Sequence, residues 1–229
     1  MLGIQEELIA LSSSISKTLK RAFGKGPETC YTVKKGNRIY VFVRNFMTPA
    51  EEILVNNQET VLVSRFRSAV ISSISKDVFE KVSKGLNVTI SSLSHDWNYH
   101  TNTGLMIMEV DHTVDFEDYT VVGFRKELLQ LFQSIGSEMH KVPYDLKIVK
   151  YSQNICSIEL NSLMFPLVFL LFKNGNVDLL ISHSQEIKNE YMKQSKLFEE
   201  VFNRSIEDLF ITWDFHHNKS YFVFTFERI

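Results

Sequence analysis

Two stretches of the chain, one near its middle and one at its end, can be aligned without a gap. Residues 93–109 (LSHDWNYHTNTGLMIME) align with residues 211–227 (ITWDFHHNKSYFVFTFE), and the alignment places Asp96 against Asp214. Upstream, Pro27 aligns with Pro143 and Pro49 with Pro166, in the same order. Matches in a preserved order are typical of a tandem duplication followed by small insertions in loops. The sequence therefore predicts two copies of one structural unit.

Each copy is predicted to run in the order αββαββ. Apolar residues three and four apart predict a helix over residues 4–23, and alternation on either side of Lys35-Gly36-Asn37 predicts a hairpin. The first copy is expected to have a helix at 4–23, strands at 29–34 and 38–46, a helical stretch at 49–84 broken near residue 56, and strands at 88–93 and 105–110. We expect an α+β fold of two repeated αββαββ units, each an antiparallel four-stranded sheet with helices packed on one face. The predicted domains are residues 1–112 and 121–229, joined by an acidic linker at 111–120.

Charge and hydropathy limit the classes of function. Twenty-five lysines and arginines face 27 acidic residues, a net charge of −2 that disfavours nucleic acid and anionic membrane surfaces as partners. The longest apolar run, residues 163–172, is half the length of a membrane span and contains Pro166. We expect a cytosolic protein with no membrane span of its own. Both faces of the last strand are apolar, which leaves open whether the other unit or a second chain, in a homodimer, covers one of them.

The stretch Gly24-Lys25-Gly26-Pro27 has a composition that could suggest a phosphate-binding loop. Such a loop precedes a helix, so that free backbone N–H groups meet the phosphate. Here the predicted helix comes first, and its carboxyl end offers carbonyl groups instead. Glycine just beyond a helix, followed by proline, is the pattern of a helix end. We therefore interpret Gly24, Gly26 and Pro27 as structural.

Residues 47–51 (MTPAE) contain the pattern of a helix start. Thr48 is predicted as the N-cap, Pro49 as the first helical residue and Glu51 as the other half of a capping box. Binding of an anion at this helix start is the alternative, which the charge of Glu51 disfavours.

Arg65-Phe66-Arg67 lies in the helical stretch. One interpretation is a pair of solvated arginines flanking a core contact made by Phe66. The other is a contact with an anion or a protein partner by Arg65, Arg67 and Lys25. The second copy has Ser182 and Ser184 at the arginine positions. Any such contact would belong to the first copy alone.

Histidine and carboxylate side chains cluster at the predicted turn of the last hairpin in each copy. His95, Asp96 and His100 lie there in the first copy, and Asp214, His216 and His217 in the second. Turns favour these residue types for backbone reasons, so we predict that Asp96 and Asp214 form turns. A catalytic site built on His95, Asp96 and His100 is the alternative. Cys30 and Cys156 stand alone, without metal-ligand spacing, and we expect no metal site and no cofactor.

The first copy resembles the MpsC family over about residues 8–110. The matching segments are residues 15–17 (ISK), 23–28 (FGKGPE), 46–51 (FMTPAE), 65–67 (RFR) and 94–96 (SHD), with Glu109 ending the last strand. The second copy resembles this family only indirectly, through its alignment with the first copy. His140 and Val142 replace the two glycines there, and Met164 or Phe165 replaces Thr48, so the second copy is degenerate.

The MpsC family is named for a component of a bacterial Na+-translocating, membrane-potential-generating system. The resemblance implies a non-enzymatic cytosolic accessory or regulatory protein that meets membrane transport proteins as its partners and reaches the membrane through them. A sensor that binds a small anion or nucleic acid through Arg65 and Arg67 is the alternative hypothesis.

Overall fold

The computed structural model describes residues 3–111 and 123–227 of the chain. The chain divides into two compact units, Met1–Phe116 and Glu117–Ile229, called here the first and the second unit. The linker predicted at residues 111–120 lies, apart from Asp111, outside the described residues.

The first unit follows the predicted order of elements. It contains α1 (Ile4–Phe23), β1 (Thr29–Lys35), β2 (Arg38–Arg44), α2 (Pro49–Asn56), α3 (Thr60–Leu86), β3 (Ile90–Asn98) and β4 (Thr103–Val110). The strands form one antiparallel sheet in the order β1-β2-β4-β3. The predicted break in the helical stretch is confirmed by the end of α2 at Asn56.

The second unit repeats this order with one additional helix break. It contains α4 (Arg125–Gly136), β5 (Lys147–Tyr151), β6 (Ile155–Asn161), α5 (Pro166–Lys173), α6 (Val177–Lys193), α7 (Ser195–Phe202), β7 (Ile206–Asp214) and β8 (Lys219–Phe226). Its antiparallel sheet has the equivalent order β5-β6-β8-β7. The predicted α+β class, with two similar units of four strands each, is confirmed.

In each unit a core lies between the helices and one face of the sheet. In the first unit, alternate residues of the two central strands pack against α1 and α3. The buried set comprises Leu11, Ile15, Leu19, Ile39, Val41, Val43, Phe46, Ile71, Val78, Val82, Trp97, Met106, Met108 and Val110. The second core is richer in aromatic rings, and Phe132 of α4 meets Phe222 of β8 with ring centroids 4.9 Å apart. Each core therefore consists of residues from one face of a sheet and from the helices that pack on that face.

The end of α1 is set by glycine, as the sequence predicts. Gly24 has φ 77° and ψ −18°, a left-handed conformation in which a side chain would be strained. Pro27 follows in the loop, and the N–H group of Glu28 then donates to the carbonyl of Arg44 at 3.0 Å, next to the first pair of the sheet. The loop therefore ends a helix and starts a strand.

β3 is longer than the sequence predicts, so Asp96 lies inside the strand and not in the turn. β3 spans Ile90–Asn98 rather than residues 88–93, and Asp96 pairs with Leu105 inside the sheet. The turn falls at residues 99–102 instead. Aspartate and asparagine are poor strand formers, so pairing with β4 rather than local preference decides where β3 ends. The prediction that Asp96 forms the turn is wrong.

The last hairpins of the two units correspond in a register that differs by two residues from the sequence alignment. Trp97 pairs with Gly104 in the first unit and Trp213 with Ser220 in the second, and a matching bulge precedes both pairings. Trp97 thus corresponds to Trp213, whereas the alignment had placed it against Phe215. Side chains alternate with a period of two, so a shift of two residues keeps every side chain on its face. The apolar alternation therefore could not reveal the error.

Gly104 is required by the indole ring that covers it. A Cβ atom at this position would lie 2.1 Å from two ring carbons of Trp97 and 3.0 Å from Cγ2 of Val43. We predict that Gly104→Ala lowers the free energy of unfolding by about 1–3 kcal/mol, since the ring must move within a packed core. Urea unfolding monitored by far-ultraviolet circular dichroism measures the change.

Gly85→Ala is the matched control for this substitution. A Cβ atom at Gly85, near the end of α3, meets nothing within 4 Å, and alanine favours a helix over glycine by up to about 1 kcal/mol. The control should therefore unfold at the same or a higher urea concentration than the wild type. Equal stability of the two variants would contradict the packing described for Trp97.

Candidate functional site

Arg67 and Glu51 form a buried ion pair in the first unit. Nε of Arg67 donates to Oε1 of Glu51 at 2.8 Å, and Nη2 donates to Oε2 at 3.0 Å. The two side chains are only 3% and 2% exposed. Two parallel N–H···O bonds are the arrangement in which a guanidinium group holds a carboxylate most strongly. Both charges are therefore compensated inside the unit.

Four aromatic side chains surround the guanidinium group. The distance from Cζ of Arg67 to the ring centroid is 4.4 Å for Trp97, 5.0 Å for Phe46, 5.7 Å for Phe23 and 5.9 Å for Tyr99. Aromatic faces attract a cation, most strongly where water is excluded. We call Arg67, Glu51 and these four aromatic residues the arginine cluster. It joins the end of α1, the start of α2, the first third of α3 and the end of β3.

Glu51 also caps the helix on which it lies. The N–H group of Thr48 donates to Oε2 of Glu51 at 2.7 Å, and the N–H group of Glu51 donates to Oγ1 of Thr48 at 3.3 Å. Pro49 is the first residue of α2. The capping box predicted from the sequence is therefore present. Its glutamate has a second partner, Arg67, that the sequence did not predict.

The burial of Phe66 and Arg67 is the reverse of the first interpretation of this segment, in which both arginines are solvated and Phe66 is buried. Arg67 is buried, Phe66 is 45% exposed, and Arg65 lies at the surface. Residues two apart on a helix are separated by roughly 200° around its axis, so two such arginines face nearly opposite sides. The prediction of two solvated arginines flanking a buried phenylalanine is wrong, and the guanidinium group of Arg67 already has a carboxylate partner.

Lys25, Arg65 and Arg67, which the sequence predicts to form one anion or partner contact, lie in different environments and make different interactions. Nζ of Lys25 donates to the carbonyl of Met47 at 2.8 Å and so holds the loop that leads into α2. Gly26, the second glycine of the loop, lies against the side chain of Lys20, where a Cβ atom would be 3.1 Å from Cβ of that lysine. Arg65 lies on the exposed side of α3, away from the buried Arg67.

His95 and Asp96 are engaged with Trp97. Nε1 of Trp97 donates to Nδ1 of His95 at 3.0 Å, and the N–H group of Trp97 donates to Oδ1 of Asp96 at 2.8 Å. Burial lowers the pKa of His95 to about 4; the charge of Arg67 adds to the lowering, and that of Asp96 opposes it. At neutral pH the imidazole is therefore uncharged and acts as a hydrogen-bond acceptor.

Asp214 forms a turn, unlike Asp96. It is the last residue of β7, and its Oδ1 accepts the N–H groups of His216 and His217 at 3.0 and 3.1 Å. Its Oδ2 lies 2.6 Å from Nδ1 of His217. These bonds organise the connection from β7 to β8.

Metal and thiol chemistry receive no support from the described residues. Within residues 3–111 and 123–227, no group of three or more histidine, cysteine, aspartate or glutamate side chains could hold a metal ion. Burial raises the pKa of the Cys30 thiol to about 12, and it also raises the pKa of Cys156. A thiol that stays protonated at neutral pH is a weak nucleophile.

Apolar side chains are exposed on α2 and on the first turns of α3. Ile53 is 63% exposed, Leu62 48% and Phe66 45%. Leu62 and Phe66 lie four residues apart on one face of α3, and exposed Arg65 lies beside them. We call Ile53, Leu62 and Phe66 the apolar surface of the first unit. Contiguous exposed apolar patches are typical of sites that bind another protein, and Leu62 and Phe66 are neighbours on one face of α3.

Residues 6–112 match the family model described as Na+-translocating membrane potential-generating system (MpsC). The match covers slightly under half of the 229 residues and confirms the resemblance of the first unit to that family. No curated protein and no solved structure matches the chain. None of the helices formed by the described residues has the length and apolar character needed to cross a membrane.

Removal of Arg67 should destabilise the first unit strongly. Arg67→Ala leaves the carboxylate of Glu51 buried without a counter-charge, and the loss of one partner of a buried pair costs about 3–5 kcal/mol. Arg65→Ala, an exposed change two residues away, should cost about 0.5 kcal/mol or less. Urea unfolding of the wild type and both variants provides the comparison.

A double variant separates lost charge compensation from lost packing. Glu51→Gln with Arg67→Met removes both charges, keeps a capping side chain at residue 51 and retains most of the volume. We expect it to recover at least half of the stability lost in Arg67→Ala. If Arg67→Ala is no less stable than Arg65→Ala, the ion pair does not have the structural role described here.

Proposed function

We propose that the protein is a non-enzymatic accessory or regulatory component of a Na+-translocating, membrane-potential-generating system and acts from the cytosolic side of the membrane. The family match over residues 6–112 carries this proposal, because its description names such a system. The partners are membrane transport proteins, with which the first unit makes the contact. Any attachment to the membrane is peripheral and passes through these partners.

A binding role agrees with the state of the polar side chains in the first unit. The His95 imidazole accepts a hydrogen bond from Trp97 and is uncharged at neutral pH, so it is not poised to take up a proton there. Arg67 and Glu51 neutralise one another. A general base needs a pKa near the working pH, and the pKa of His95, about 4, lies well below neutrality.

The apolar surface of the first unit supplies the contact in this proposal. Ile53, Leu62 and Phe66 expose apolar area on helices held in place by the arginine cluster. Burial of such area against a partner contributes about 25 cal/mol per Å² before the costs of association are subtracted. Because Arg67 is buried and paired with Glu51, it is not available as the contact residue of an anion or nucleic-acid sensor.

We further infer that the two units are tandem copies of one ancestral module, the second being degenerate. The inference is supported by the equivalent sheet orders and by the matching bulges in β3 and β7. Asn102 and Asn218 add to it. Both have φ 51°, and the Oδ1 atom of each accepts an N–H group from the loop before α2 or α5.

The proposed function is tested by deletion of the gene and measurement of the membrane potential. Deletion of the gene in the native bacterium should lower the Na+-dependent component of the membrane potential, measured with a potential-sensitive dye, and the wild-type gene should restore it. The double variant Ile53→Glu, Leu62→Glu should fold normally, fail to restore most of the potential, and no longer sediment with native membranes.

Ile9→Glu is the matched control for the surface. Ile9 is 62% exposed on α1, so the control places the same charge at a similarly exposed apolar position outside α2 and α3. It should restore the potential fully. An unchanged potential after deletion would refute the proposed function, and failure of Ile9→Glu to complement would refute the assignment of the contact to α2 and α3.

A further inference from the structure

Aliphatic side chains are exposed on α5 and on the first turn of α6, in the second unit. Leu167 is 63% exposed, Leu170 54%, Val177 46% and Leu179 56%. Leu167 and Leu170 lie three residues apart on one face of α5. We call these four residues the apolar surface of the second unit.

A short connection keeps the two parts of this surface together. Only residues 174–176 separate α5 from α6. The N–H groups of Asn174 and Asn176 donate to the carbonyls of Leu170 and Leu171, each at 3.0 Å. These bonds fold the connection back onto the last turn of α5, so the first turn of α6 starts beside it.

The two units expose apolar side chains at equivalent positions. Leu170 is the fifth residue of α5, as Ile53 is of α2. Leu179 is the third residue of α6, as Leu62 is of α3. All four side chains are about half exposed. A half-exposed aliphatic side chain gains little from burial in its own unit, so core packing does not account for the repetition.

The side chains beneath the two surfaces differ. Val168 is the third residue of α5, as Glu51 is of α2. Ser184 is the eighth residue of α6, as Arg67 is of α3. An isopropyl group and a hydroxyl thus stand where the first unit has a carboxylate and a guanidinium group. The second unit therefore keeps the exposed apolar residues on a different support.

The exposed area is close to what one side of a stable dimer contact needs. At about 100 Å² for each half-exposed aliphatic side chain, the four residues expose about 400 Å². A standard interface buries about 800 Å² on each partner, of which about 60% is apolar, or about 480 Å². Two copies of this surface therefore match the apolar part of a dimer contact at the small end of the standard range.

The charges on this surface are complementary to each other. Lys173 lies three residues after Leu170 on the same face of α5, and Asp178 lies between Val177 and Leu179. Both are exposed. In a two-fold contact between identical surfaces, each residue of a pair meets the other residue on the second copy. Such a contact brings the lysine of each copy to the aspartate of the other.

The same charges disfavour a lipid surface as the occupant. Helices that lie on membranes carry several lysines or arginines, which anionic lipids attract. Here Lys173 is offset by Asp178, so this attraction is small. The family match ends at residue 112, so the partner that it supports for the first unit does not extend to this surface.

We propose that the apolar surface of the second unit binds the same surface of a second copy of the chain, in a two-fold symmetric dimer in which Lys173 of each copy pairs with Asp178 of the other. Two-fold dimers are the commonest homo-oligomers. This interface is independent of the proposed contact with a membrane system, because it uses none of the residues of the apolar surface of the first unit.

Sedimentation velocity of the full-length chain tests the proposal. The wild type should dimerise with a Kd of about 1–50 µM, as expected for a contact of this size. Leu170→Glu should raise the Kd at least about 30-fold, because it buries a charge in an apolar contact. Ile53→Glu, the matched control at the equivalent position of the first unit, should leave the Kd unchanged. Circular dichroism checks that each variant is folded.

Charge reversal tests the pairing across the two-fold axis. Lys173→Glu and Asp178→Lys should each raise the Kd at least about 10-fold, because like charges then face each other twice. An equimolar mixture of these two variants should dimerise about as tightly as the wild type, since every charge in the mixed dimer meets an opposite one.

Four results would overturn the proposal: a wild type that stays monomeric throughout this range, a folded Leu170→Glu variant that dimerises as tightly as the wild type, an equal weakening by Ile53→Glu, or a mixture that associates no more tightly than its components. A monomeric wild type that sediments with vesicles of phosphatidylcholine and phosphatidylserine, and loses this binding in Leu170→Glu, would assign the surface to lipid instead.

Discussion

The buried contact between Arg67 and Glu51 organises the first unit. Removing a guanidinium group and a carboxylate from water is costly, and two short hydrogen bonds together with four aromatic rings compensate for that cost. Because Glu51 also caps α2, one carboxylate fixes both the start of that helix and its position against α3. The exposed apolar residues of α2 and α3 are held in place by this internal pair. The arginine motif is thus a structural support for the surface to which the proposed partner contact is assigned.

The second unit shows what the same topology becomes without the pair. Its strands keep the same order, its bulge stays in the same place and an asparagine with positive φ stays in the turn. Valine and serine replace the charged residues, and Nε1 of Trp213 has no hydrogen-bond partner among the residues that the structure describes. If both arose from one module, the second copy has lost the internal pair and kept the topology.

Much of the fold could be predicted from local signals, but much of the candidate site could not. The limits of α1, the helix end at Gly24 and the capping box at Thr48 depend on neighbouring residues, and the sequence specifies them directly. The pairing of Glu51 with Arg67 crosses a helix break, so no helical periodicity relates the two residues. The end of β3 and the register of the last hairpins depend on pairing with β4 and β8, and an alternation of period two cannot distinguish registers that differ by two residues. Single motifs therefore identified the important residues of the first unit but not their partners.

The guanidinium group of Arg67 is buried in the first unit and paired with Glu51. The most direct measurement is the hydrogen exchange rate of the arginine Nε–H protons, followed by ¹⁵N nuclear magnetic resonance in the full-length chain near neutral pH. We expect the Arg67 proton to exchange at least about 100-fold more slowly than that of exposed Arg65, because exchange requires an opening of the cluster that exposes it to water. Equal exchange rates for the two arginines would contradict the account.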